Sequence, residues 1–224
     1  MRKALRYLAL MAIPFLAGCQ QMGFMMYALT PEKDETKVEA RYAGLQGKTL
    51  AIVVLADPHT LLEYHEVQLE LSDAVGSNLR KNVKDLNLVA PGRVLRYLDE
   101  NPKAGSMAPE KLAGVFNADY VLIVTLLEYS TREPSSISLY RGKALAEASL
   151  WPAVAPNSDP RDPVKPTWQS ETIKIVYPPE APQGIPVNDD RVIRIKTAQL
   201  FADELAKNFY VHTVPDNKKP LDRS

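Results

Sequence analysis

Few residues of this chain have side chains suited to chemistry. There is one cysteine, Cys19, and three histidines, His59, His65 and His212. A single cysteine excludes an intramolecular disulfide framework and any multi-cysteine zinc or iron–sulfur site. The densest polar group is Asp57, His59, Glu63, His65 and Glu66. Imidazoles and carboxylates are the side chains that bind zinc or another divalent ion, and a helix starting near Thr60 would set His59 and Glu63 four residues apart on one face. The five residues between His59 and His65 do not bring both rings to that face. A solvated loop and helix start is the plainer reading, so His59, Glu63, His65 and Glu66 are weak metal candidates and no cofactor is expected. There is no Gly-x-Ser-x-Gly elbow and no His-Glu-x-x-His pattern. Gly47-Lys48-Thr49 ends like a phosphate-binding loop, but Tyr42 stands where its first glycine is needed. The expected strand also follows the Lys-Thr instead of preceding it, so nucleotide is not an expected partner. Carboxylates are plentiful without a pair that stands out, and Asp189-Asp190 is explained by helix capping and the helix dipole. The 27 Lys and Arg balance 27 Asp and Glu, which argues against a nucleic-acid partner.

Cys19 gains a specific role from what precedes it. Arg2, Lys3 and Arg6 make a basic start, Tyr7 to Leu16 is almost wholly apolar and uncharged, and small residues follow. That is the three-part plan of a secretory signal. Leu16-Ala17-Gly18-Cys19 resembles the lipobox of bacterial lipoproteins, in which the cysteine is lipidated and the chain is cut before it. Small side chains at 17 and 18 let a peptidase approach the backbone, and the thiol is the readily alkylated group. The expectation is a covalent lipid on Cys19 and a membrane held through that anchor. Removing residues 1–18 leaves 24 of the 27 basic side chains against all 27 acids, a mildly acidic chain. Gln20 lacks the aspartate that, by the same resemblance, retains some lipoproteins in the inner membrane. An outer-membrane protein facing the periplasm is expected. The competing reading, an uncleaved anchor helix, is weakened by Gly18, Gln20, Gln21 and Gly23 inside the apolar run.

The elements that would position such residues follow from periodicity. Residues 1–18 read as a signal peptide, 19–47 as lipidated cysteine and tether, 48–212 as one α/β domain and 213–224 as a polar tail. Lys48 to Ala56 is a continuous apolar, β-branched run, a strand buried on both faces. Val67, Leu71, Ala74, Val75, Leu79 and Val83 recur at helical spacing. Asn87 to Ala90 reads as a short strand, Pro91 to Glu100 and Pro109 to Phe116 as short helices, and Tyr120 to Tyr129 as the strongest strand. Ile137 to Trp151 and Trp168 to Tyr177 read as further strands. A last helix, Asp190 to Tyr210, has Val192, Ile195, Ala198, Ala202, Leu205 and Phe209 as its apolar stripe and Asn188 or Asp189 as its cap. The order β-α-β-α-α-β-β-β-α predicts a mixed sheet with helices mainly on one face, an α/β fold. Nine of the eighteen prolines lie between 152 and 186, making two stiff loops, 152–167 and 178–188. Trp151 and Trp168 flank the first. Exposed, they would be a partner contact; the preferred reading is a cross-strand aromatic pair.

Three segments carry a family resemblance: KTLAIVVLAD, LSDAVGSNLRKNVKDLNLVAPGRVLRYLDE and LAGVFNADYVLIVTLLEYS. They resemble the superfamily of the amino-terminal domain of the translocation protein TolB, the outer-membrane lipoprotein activator of penicillin-binding proteins and the curli-secretion channel lipoprotein. The resemblance spans roughly residues 48–210 and rests on structural motifs. It implies a periplasm-facing α/β domain that works by docking to an envelope-assembly or cell-wall protein. The connections near 131–136 and 152–167 are too short or too proline-rich to alternate across a bilayer as a channel's hairpins would. The expected function is therefore a non-enzymatic, membrane-anchored docking lipoprotein, with the proline-rich loops as contact surface. A small metal-dependent hydrolase, or the auxiliary lipoprotein of a lipid transporter with an apolar groove, are the alternatives.

Overall fold

The computed structural model describes residues 35–134, 136–154 and 163–215. They fall into two units. One comprises β1 (Glu35–Val38) and the end of β9 (His212–Pro215), two strands that pair with each other. Residues 39–212 form the other, and everything below concerns it.

At its centre lies β2 (Thr49–Leu55). Its alternate residues serve two cores: Leu50, Ile52 and Val54 face one side and Ala51 and Val53 the other. Burial on both faces explains the unbroken apolar run. β3 (Asn87–Leu88) pairs with it in parallel on one edge, and β4 (Tyr120–Arg132) in parallel on the other, from Leu50↔Tyr120 to Leu55↔Thr125. β5 (Leu139–Pro152) returns antiparallel to β4. β6 (Trp168–Gln169), β7 (Ile173–Tyr177) and β8 (Ile185–Pro186) all pair antiparallel with β5. The result is a mixed seven-stranded sheet, the expected α/β class.

Three helices, α1 (Pro58–Glu63), α2 (Val67–Asn82) and α5 (Arg191–Ala206), cover one face through the larger core. α3 (Pro91–Glu100) and α4 (Pro109–Phe116) cover part of the other through Val94, Leu112, Ala113 and Phe116. Beyond them the second face is open, with Thr125, Leu127 and Glu147 exposed. A bulge lies in β4, where Leu126 pairs with Ala146 and Glu128 with Leu145. The extra residue turns Leu127 and Glu128 both outward and returns Tyr129 to the core.

Several boundaries differ from the sequence reading. The tether expected to run to residue 47 ends sooner: Leu45 is fully buried and Tyr42 packs on the core, donating its hydroxyl to the Tyr120 oxygen at 2.9 Å. Burial, with Tyr120 alongside, pushes the Tyr42 phenol up to about 12. The helix expected to start near Thr60 is two helices, separated at Tyr64–Glu66. The expected strand 168–177 is broken into β6 and β7. In the second proline-rich loop, β8 pairs with β5 and the Arg141 guanidinium donates to the Pro182 carbonyl at 2.6 Å. That loop is bound to the sheet edge and is not a free arm.

The stripe read for α2 is correct apart from Ala74, which is only partly buried. Of the stripe read for the last helix, Ala198, Ala202, Leu205 and Phe209 are buried as expected, and its first two residues are not. Val192 and Ile195 are exposed by 54% and 43%, while Ile193, Thr197 and Phe201 are fully buried. Its N-cap is Asp190, and the Asp189 carboxylate accepts from the Arg191 N–H at 3.0 Å.

Candidate functional site

Cys19 and the lipobox residues Leu16, Ala17 and Gly18 lie outside the described residues, as does most of the first proline-rich loop, 155–162. Among the described residues no helix is long and apolar enough to cross a membrane.

The polar cluster read from the sequence does not converge. Asp57 caps α1: its carboxylate accepts from the His59 and Thr60 N–H groups at 2.9 and 3.1 Å and from the Thr60 hydroxyl at 2.5 Å. These bonds, the Thr60 hydroxyl first, hold its carboxyl below the ordinary range. Glu63 accepts from the Tyr64 hydroxyl at 3.0 Å. Glu66 turns to Arg194 at 3.8 Å. Each carboxylate is thus committed to a different partner, His59 and His65 are left exposed, and no described group of three ligating side chains could hold a metal ion. Gly47-Lys48-Thr49 is a turn into β2: Gly47 has φ 68°, and the Thr49 N–H donates to the Asp119 carboxylate at 2.7 Å.

The two tryptophans are not a cross-strand pair. Trp168 lies opposite Leu150, not Trp151. Neighbouring residues of a strand point to opposite faces, so the two indoles serve different cores. Trp168 is 8% exposed and packs edge-on to Phe209, ring centres 4.8 Å apart. Trp151 is half-buried against the α3–α4 core, its indole N–H donating to the Ser149 hydroxyl at 2.8 Å. Trp168 therefore has no face to offer a partner.

What the fold does bring together is a polar clasp between α2 and α5. The Arg194 guanidinium lies 3.4 Å from Glu70, 3.8 Å from Glu66 and 3.9 Å from Asp190. Asp190 also accepts from the Thr131 hydroxyl of β4 at 3.0 Å. Tyr64 stands behind, its oxygen accepting from the Thr131 N–H at 3.2 Å and its ring edge-on to Tyr129 at 5.0 Å. One guanidinium thus faces three carboxylates. Burial raises the Glu70 carboxyl above its ordinary value, with Arg194 opposing. Burial also raises the Tyr129 phenol, whose hydroxyl has no hydrogen-bond partner among the described residues.

The clasp closes one end of a groove. Further along, one turn short of Lys81, the Asn78 amide donates to Asp203. Glu70 opposite Arg194 and Asn78 opposite Asp203 make α2 and α5 neighbours running in the same direction. Between them lies a furrow of about 580 Å³. On the α2 wall are Glu70, Asp73, Ala74, Ser77, Asn78 and Lys81; on the α5 wall are Ile195, Ala198, Gln199, Ala202 and Asp203. Both sets recur at three- and four-residue steps, the outer stripe of each helix. α5 can seat so low because β5 has Gly142 beneath Thr197 and Ile193.

No protein-family model matches the chain, and no curated protein does. Solved structures do. The lipoprotein GNA1162 from Neisseria meningitidis matches at 16% identity and a TM-score of 0.41, covering 71% of this chain and 98% of that one. The PelC dodecamer from Paraburkholderia phytofirmans matches at 10% identity and a TM-score of 0.44, covering 79% and 98%. The hypothetical protein CT253 from Chlamydia trachomatis matches at 16% and 0.39, covering 71% and 91%. No residue role passes from these structures to this chain.

Sequence reading missed both clasp and groove. The clasp joins residues 66, 70, 131, 190 and 194, which no local spacing connects. The groove had one local trace, the small residues Ala74, Ser77, Ala198 and Ala202 at three- and four-residue steps. Chemically, its walls offer carboxylates, amides, a hydroxyl, one ammonium and methyl groups: means of holding a ligand, with no nucleophile set against a base.

Proposed function

We propose that this chain is a lipid-anchored envelope protein whose α/β unit docks to an envelope-assembly or cell-wall protein and performs no covalent chemistry. The observation that carries the docking half is the α2–α5 groove: an open furrow between two helices, fixed at one end by the Arg194 clasp and lined by side chains that bind rather than react. The anchor half rests on Leu16-Ala17-Gly18-Cys19 and the basic–apolar–small order before it. Several acyl chains on one terminus hold a membrane firmly where a single chain does not. The outer membrane, periplasmic side, is the location this reading favours, from Gln20.

The groove is preferred to the second proline-rich loop as contact surface, because that loop is bound to β5, and to Trp168, which is core. The carboxylates on both walls also suit a protein segment better than an acyl chain, which sets docking above lipid carriage. The anchor is tested by a Cys19→Ala variant, which should lose metabolic lipid labelling and membrane fractionation. If both persist, the anchor is elsewhere. Docking is tested by cross-linking in cells followed by mass spectrometry, where recovery of this chain alone would count against it.

A further inference from the structure

The groove has a definite shape and sign, and together they specify an occupant. It runs from Glu70 to Lys81 along α2, eleven residue steps, or about 16 Å at the helical rise of about 1.5 Å per residue. That length accommodates three turns of another helix. Its lining includes Ala74, Ala198 and Ala202, with Ser77 more exposed beside them, side chains small enough to let a third helix axis approach to about 8 Å. The α5 rim carries the apolar side chain of Ile195, exposed by 43%. Such a rim, beside small residues, matches an apolar stripe at helical spacing.

The charge is one-sided. Asp73 is exposed and makes no hydrogen bond or ion pair among the described residues. Among the described residues Asp203 has no partner stronger than the Asn78 amide. At the clasp, three carboxylates share the single guanidinium of Arg194. Lys81 is the one ammonium on the walls. An occupant with acidic flanks would meet this surface with like charge; one with Lys or Arg flanking its apolar stripe would complement it.

We propose that the α2–α5 groove receives an amphipathic, basic helical segment of a partner protein, its apolar stripe on Ile195 and the small residues Ala74, Ala198 and Ala202 and its cations over Asp73, Asp203 and the clasp. This rests on the docking function above and names the chemistry of the partner.

The test uses the full chain in zwitterionic-lipid nanodiscs, with empty nanodiscs as the blank. The probes are two fluorescent helical peptides with the same Leu stripe, one carrying Lys at the polar positions and the other Glu. The Lys peptide should bind at least tenfold tighter than the Glu peptide at physiological salt. Asp73→Lys with Asp203→Lys should abolish or invert that order. Ser77→Trp, at an exposed position where folding is not at stake, should fill the furrow and weaken the Lys peptide at least tenfold. Equal affinity for the two peptides, or a Lys preference unchanged by both sets of substitutions, would overturn the proposal. Failure here leaves docking itself to be judged separately, by photo-cross-linking in cells from Leu127 on the open sheet face. An adduct there, with none from Ser77, would place the partner on the sheet and sink only the groove.

Discussion

Thr197 of α5 rests directly on Gly142 of β5: a methyl group built on the glycine would overlap the threonine hydroxyl and press on Ile193. This contact sets how low α5 lies on the sheet, and so how deep the groove beside it is.

Gly142→Ala should therefore lift α5 rather than simply crowd a loop. Overpacking of this kind costs about 1–3 kcal/mol, to be read from urea denaturation. Adding Thr197→Ala should recover part of that loss, since it removes the hydroxyl that the new methyl strikes. If the double variant is no more stable than Gly142→Ala alone, the contact is not what limits the seating of α5.

The corrected face of α5 makes a second contrast. Phe201→Ala, at a fully buried position, should cost about 3–5 kcal/mol. Val192→Ala, on the exposed face of α5, should change stability by less than about 0.5 kcal/mol. Thermal denaturation of the two variants checks this directly; equal losses would restore the stripe first read from the sequence.

That stripe shows what was legible and what was not. α2 meets solvent on one side, so its inward residues Val67, Leu71, Val75 and Leu79 stand out by spacing alone. α5 is apolar on two sides, core and groove rim, and its apolar residues fit two stripes a fraction of a turn apart. Two further features left no usable local signal. Trp151 and Trp168 are symmetrical about a loop, but register puts Leu150 opposite Trp168, and no sequence signal sets register to one residue. Tyr42 and Leu45 are two apolar residues in a polar stretch, too few for periodicity to catch. The β2 and β4 runs were plain because strands buried on both faces need unbroken apolar sequence.

The clasp predicts a coupling. Arg194→Met leaves Glu66, Glu70 and Asp190 without their cation and should destabilise the chain by about 1–2 kcal/mol, given that the side chains are partly exposed. In a double-mutant cycle with Glu70→Gln, the second change should be less costly, or even favourable, once Arg194 is gone. Strict additivity would mean that Arg194 and Glu70 do not interact.

A pH dependence follows from Glu70. Burial raises its carboxyl in the folded state. Such a group favours folding fully below its unfolded value, near 4.3, and that contribution is lost as pH rises through the raised folded value. The stability of the native chain relative to Glu70→Gln should therefore fall as pH is raised from about 4 towards neutrality. Denaturant midpoints over a pH series test this, and a difference that grows with pH would contradict it.

The most direct test of the whole account is photo-cross-linking in living cells from Ser77 in the groove, compared with Val115 on α4, across the sheet. A partner held between α2 and α5 predicts an adduct of defined mass from Ser77 and none from Val115, lost on Asp73→Lys with Asp203→Lys. Identical adducts from both positions, or none from Ser77, would contradict it.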